Sequence, residues 1–176
     1  MDDVPRSTPA PRRARALSAV GVLLIGLVAA ACTTTPAAPP DRSFKEGRCV
    51  GTEGVTVVVD FAPLQDRITV RCALGPQANG YAALSAIGLS YDAGRFPGGI
   101  CQIEGLPTQG YPYCWTTGGY WSYWKAPAAG AAWVYSGTGP TADALVPGSV
   151  EGWHFAPFAD GTATPPRIGT SGPIVP

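Results

Sequence analysis

Two runs rich in β-branched residues open the folded part of this sequence. Residues 55–61 (VTVVVDF) and 67–73 (RITVRCA) are parted by a short Ala-Pro-Leu-Gln-Asp segment, and together they predict a β-hairpin. Asn79 then offers an N-cap, Tyr81, Leu84 and Ile87 recur at helical spacing, and Gly88 closes the run. That pattern predicts a short helix over residues 80–87. Further short strands are expected around residues 100–104, 120–125, 132–136 and 150–155, punctuated by Gly and Pro. One helix among many strands points to an α+β domain. The helix would lie across a mostly antiparallel or mixed sheet and bury one of its faces.

Ahead of the hairpin the pattern changes. Arg12, Arg13 and Arg15 precede residues 17–31, an uncharged and mostly apolar run that ends in Ala29-Ala30-Ala31 and meets Cys32. Positive, apolar and small residues in that order are a secretory signal. The cysteine placement resembles a bacterial lipobox, in which Cys32 becomes the lipid-bearing N-terminus. The expected division is a signal peptide at 1–31, a Pro/Thr-rich tether at 32–47, a folded domain at 48–158 and a flexible Pro/Gly tail at 159–176. The expected location is the cell membrane, lipid-anchored, with the domain on the extracytoplasmic face. Ordinary cleavage after Ala31 and an uncleaved span are the alternatives; the apolar run falls short of the roughly 20 residues a span requires.

Charge narrows the function classes. Lys plus Arg and Asp plus Glu number 12 each in 176 residues, so no basic field exists to hold nucleic acid. Beyond Cys32, four cysteines remain: Cys49, Cys72, Cys101 and Cys114. An even count in an exported domain argues for two disulfides, with three connectivities open. Cys49–Cys72 is preferred because those residues flank the start of the first hairpin strand and the end of the second. Cys101–Cys114 is preferred because the Pro- and Gly-containing segment between them suits a reversal. Metal binding is disfavoured, since there is no Cys-x-x-Cys pair and His154 is the only histidine.

No catalytic constellation stands out, and no cofactor or enzymatic activity is expected. Gly137-Thr-Gly139 is followed by Pro140 rather than a helix, unlike a dinucleotide loop. His154 lies in an alternating strand pattern without an evident nucleophile. Asp60 and Glu104 fall on separate candidate strands, with nothing in the sequence to pair them.

Aromatic density is the informative feature. Tyr111, Tyr113, Trp115, Tyr120, Trp121, Tyr123, Trp124, Trp133 and Tyr135 crowd into residues 111–135. Period-two alternation puts Trp121 and Tyr123 on one face of a strand, and Tyr120 and Trp124 on the other. The first pair would pack on the helix. The second, with the loop carrying Tyr111, Tyr113 and Trp115, would form a platform for a flat or apolar ligand, or else be covered by loops.

Residues 55–61, the short helix, Tyr120-Trp121-Ser122-Tyr123-Trp124 and residues 145–155 (LVPGSVEGWHF) together resemble the transcobalamin-like C-terminal domain family. The resemblance implies a small β-grasp-like domain and a role in binding a small ligand or assisting its uptake. The ligand would be cobalamin-like or a sugar, and a transporter would be a partner. The alternatives are a structural or protein-interaction envelope lipoprotein without a small ligand, and a carbohydrate-binding module.

Overall fold

The computed structural model describes residues 43–96, 99–142 and 144–175. The expected signal peptide, Cys32 and most of the expected tether therefore lie outside the described residues. Eight strands and one α-helix follow in chain order: β1 (Phe44–Glu46), β2 (Gly54–Asp60), β3 (Ile68–Leu74), α1 (Gly80–Ala86), β4 (Tyr91–Asp92), β5 (Gln102–Ile103), β6 (Gly119–Ala126), β7 (Val134–Tyr135) and β8 (Val150–Pro157). Six form one sheet in the order β1-β3-β2-β8-β6-β7, and β4 pairs with β5 apart from it. The β2/β8 pairing is parallel and the other pairings are antiparallel. The architecture is α+β, as the residue pattern predicts. The strand expected around residues 100–104 is present as β5, but it makes the small β4/β5 ladder instead of joining the main sheet.

The sheet is covered on both sides, which explains the unbroken valine run of β2. On one side Val55, Val57 and Val59 meet Leu84 of α1 and its C-cap residue Ile87, with Trp121, Tyr123, Trp153 and Phe155. On the other, Val58, Val70, Ala126 and Val150 surround Ile168, with Trp133 alongside. The helix starts where the Asn79 side chain accepts a hydrogen bond from the Ala82 N–H at 2.9 Å. It stops at Gly88, whose φ of +76° suits glycine.

Two boundary expectations are corrected. Residues 44–46 belong to the sheet rather than the tether, pairing with β3 in the register Phe44↔Ala73 to Glu46↔Arg71. Phe44 packs on the helix-side core and lies under the Arg71 guanidinium, so the chain is anchored before Cys49. The Pro/Gly stretch at 159–176 is not a loose tail throughout. Ile168 and Thr170 are buried, and Arg167 reaches the fully buried Asp60 carboxylate at 3.0 Å. A Pro-rich segment has few N–H groups to satisfy and little freedom to lose, so it docks with few hydrogen bonds of its own.

The disulfides are Cys49–Cys72 and Cys101–Cys114, with Cα separations of 4.7 and 5.0 Å. Each contributes about 3 kcal/mol through the unfolded chain, and both suit an oxidising, extracytoplasmic compartment.

Candidate functional site

The aromatic site is built where β6 begins. The Cys101–Cys114 bridge ties the residue just before β5 to a short 3-10 turn at Cys114–Thr116. The Thr117 hydroxyl lies 2.7 Å from the Cys114 carbonyl and 2.9 Å from that of Gly119, fixing the turn against the strand. Trp115 stands on this turn, 60% exposed. Beside it β6 contributes Tyr120 and Trp121. Because Gly119 of β6 is opposite Pro157 of β8, the next residue, Phe158, arrives over Tyr120 with ring centroids 6.2 Å apart. Phe96 and Ile100 close the other side. Phe96 folds back over Gly99, where a Cβ would meet its ring at 2.6 Å. The result is a groove of about 340 Å³, lined by Phe96, Gly99, Ile100, Cys114, Trp115, Tyr120, Trp121 and Phe158.

Polar groups at this groove are mostly committed elsewhere. The Trp121 indole N–H donates to the Leu106 carbonyl at 3.1 Å. The Tyr120 hydroxyl is pushed above its ordinary pKa by burial first, then by the Tyr135 hydroxyl beside it. A ligand here would therefore meet ring faces and few hydrogen-bonding partners.

No family model, curated protein or solved structure matches this chain.

Of the aromatics that the sequence singles out, Trp115 and Tyr120 line the groove. Tyr113 leans on Trp115 at 5.3 Å. Tyr111 is half-exposed; desolvation, then the Asp92 charge and hydrogen bond, raise its pKa. Trp124 takes no part in the groove. It is only 9% exposed, meets Tyr135 edge-on at 5.3 Å and donates its indole N–H to the Ser122 hydroxyl at 2.9 Å. Phe96, Ile100, Trp121 and Phe158 are the lining residues that sequence reasoning missed. Phe158 could be placed only by knowing the β6/β8 register, and Phe96 sits in a loop without periodicity.

The sheet also lines up Asp60, His154 and Ser122 across β2, β8 and β6. Their side chains do not hydrogen-bond to one another. Ser122 Oγ donates to the main-chain carbonyl of His154 at 2.7 Å. The His154 ring places Nδ1 2.9 Å from the Thr164 carbonyl, while Asp60 accepts from the Arg167 main chain and side chain. No proton relay exists in that row. Glu104 is likewise engaged, accepting from the Ser90 N–H and hydroxyl. Among the described residues no group of His, Cys, Asp and Glu is arranged to hold a metal, and no helix is long and apolar enough to cross a membrane.

Proposed function

We propose that this chain is an exported lipoprotein, anchored in the membrane through Cys32, whose domain holds a small, flat, apolar ligand in the Trp115–Phe158 groove. It would act as a binding or uptake-accessory protein that passes its ligand to a transporter. The groove carries this reading. It has the size of a small-ligand site, at about 340 Å³, and its walls are rings and aliphatic groups. The element order supports a β-grasp-like, transcobalamin-like domain: a hairpin, then a helix, with the last strand parallel to the first hairpin strand. A corrinoid would lay one face or edge on these rings rather than enter whole. A sugar is less well served, because its hydroxyls would leave water without replacement partners.

Anchoring has its own test. Cys32→Ser should release the protein from membranes, and the wild type should incorporate a labelled fatty acid; an unlabelled wild type contradicts the anchor.

The released Cys32→Ser protein then serves for binding. Titration with N-phenyl-1-naphthylamine, an uncharged flat probe, should saturate in the roughly micromolar range, since apolar contact must first offset association entropy. Trp115→Ala should weaken it at least tenfold and leave the thermal midpoint unchanged, because that ring is exposed. Oligosaccharides should not compete. Linear, unsaturable binding would favour a structural or protein-interaction role, and competition by sugars would favour a carbohydrate-binding module.

A further inference from the structure

The sheet face opposite α1 is filled by residues 164–172, and the way they are held is unusual for part of a fold. Among the described residues, no main-chain to main-chain hydrogen bond joins this segment to the sheet. Side chains of the sheet and its loops read the segment's main chain instead. His154 Nδ1 lies 2.9 Å from the Thr164 carbonyl. The Trp133 indole N–H donates to the Ile168 carbonyl at 3.0 Å, and Arg48 donates to the Gly169 carbonyl at 2.8 Å. Three side chains of the segment are engaged, and one of them, Thr170, is buried with its hydroxyl donating to the Ala131 carbonyl at 2.6 Å. Ile168 sits in the apolar cluster of Val58, Val70, Ala126 and Val150. Arg167 donates to the Asp60 carboxylate at 3.0 Å and to Asp66 at 2.9 Å. Gly152 completes the floor, since a Cβ there would meet Pro166 at 2.8 Å.

Bonds to a segment's main chain, with separate places for one cation and one branched aliphatic side chain, are the elements with which a receptor gains affinity and specificity for a peptide. We propose that this face is a peptide-recognition cleft, occupied in cis by the chain's own residues 164–172, and that it accepts in trans a peptide bearing Arg followed by Ile. Asp60 supplies the charge complementarity: it is fully buried, and a buried carboxylate strongly favours an occupant that brings a cation. The segment near the C-terminus therefore acts as an internal competitor for any such partner.

The cleft lies on a different face from α1 and is tested without the apolar ligand. A protease site is placed at residues 161–163, in the connection between β8 and the segment, and the folded full-length chain is cut there. A fluorescent synthetic peptide of residues 163–175 is then added. Expected are retention of the near-ultraviolet circular dichroism after cutting and saturable uptake of the labelled peptide. Arg167→Ala or Ile168→Ala in the peptide should weaken uptake at least tenfold. The uncut Arg167→Ala chain, with its own latch loosened, should also take up wild-type peptide where the uncut wild type does not. Loss of tertiary signal on cutting, absence of exchange, or equal uptake of the Arg167→Ala peptide would each overturn the proposal.

Discussion

Trp121→Ala lowers the unfolding free energy by about 3–5 kcal/mol, and Trp124→Ala brings a loss of the same order. Trp121 stands edge-on between Phe61 and Phe155, at 5.5 and 5.8 Å, so its removal opens a cavity between those two rings. Trp124 is on the opposite side of the strand, where alternation alone suggests a free platform. It is buried because its partner across β8 is Gly152, and Trp133 and Pro166 pack close over that glycine. Deleting the Trp124 indole would also leave the Ser122 hydroxyl without one of its partners. Urea midpoints for the two variants and for Trp115→Ala decide the matter: two large losses and one unchanged value are expected. An unchanged midpoint for Trp124→Ala would mean that the second core is not packed as described.

That contrast marks how far the sequence could be read. The hairpin, the helix and the side of β6 that faces it were legible, because β-branched runs, an Asn cap and period-two alternation are local signals. The bridges Cys49–Cys72 and Cys101–Cys114 were legible because each follows from a hairpin or a short reversal. What covers the second face was not. Residues 164–172 look like a flexible tail by composition, and their anchoring depends on Asp60, Arg48 and Trp133, which lie 35 or more positions away. The groove was half legible. Trp115 and Tyr120 stand out as aromatics, but Phe96, Ile100 and Phe158 join them only through tertiary register.

Glu151→Gln makes stability nearly independent of pH in a range where the wild type should lose it. Glu151 is fully buried in β8 on the helix side, opposite Lys125 of β6. The Tyr123 hydroxyl donates to its Oε2 at 2.7 Å, while Oε1 has no hydrogen-bond partner. Burial pushes its pKa up to about 8 from an ordinary 4.5, against the lowering influence of Tyr123 and of the nearby Trp153 indole. Between those values the folded protein keeps the proton that the unfolded chain has lost. Stability from this group is therefore complete below about pH 4.5 and falls as pH rises through about 8. At about 1.36 kcal/mol per pKa unit, the loss reaches up to roughly 5 kcal/mol. Gln keeps the Tyr123 bond and cannot ionise. Chemical denaturation at pH 5, 7 and 9 should give similar stabilities at pH 5 and a much more stable variant at pH 9. Parallel pH profiles would contradict a neutral Glu151 in the folded state.

A ligand in the groove would touch Trp115 and Trp121 and no other tryptophan. The five indole N–H groups give separate signals in a proton–nitrogen correlation spectrum, and the released Cys32→Ser protein can be titrated with N-phenyl-1-naphthylamine under that observation. With the probe in the groove, the Trp115 and Trp121 signals should move along saturable curves while those of Trp124, Trp133 and Trp153 stay in place. Movement centred on Trp124 or Trp133, or no saturable movement at any indole, would contradict it.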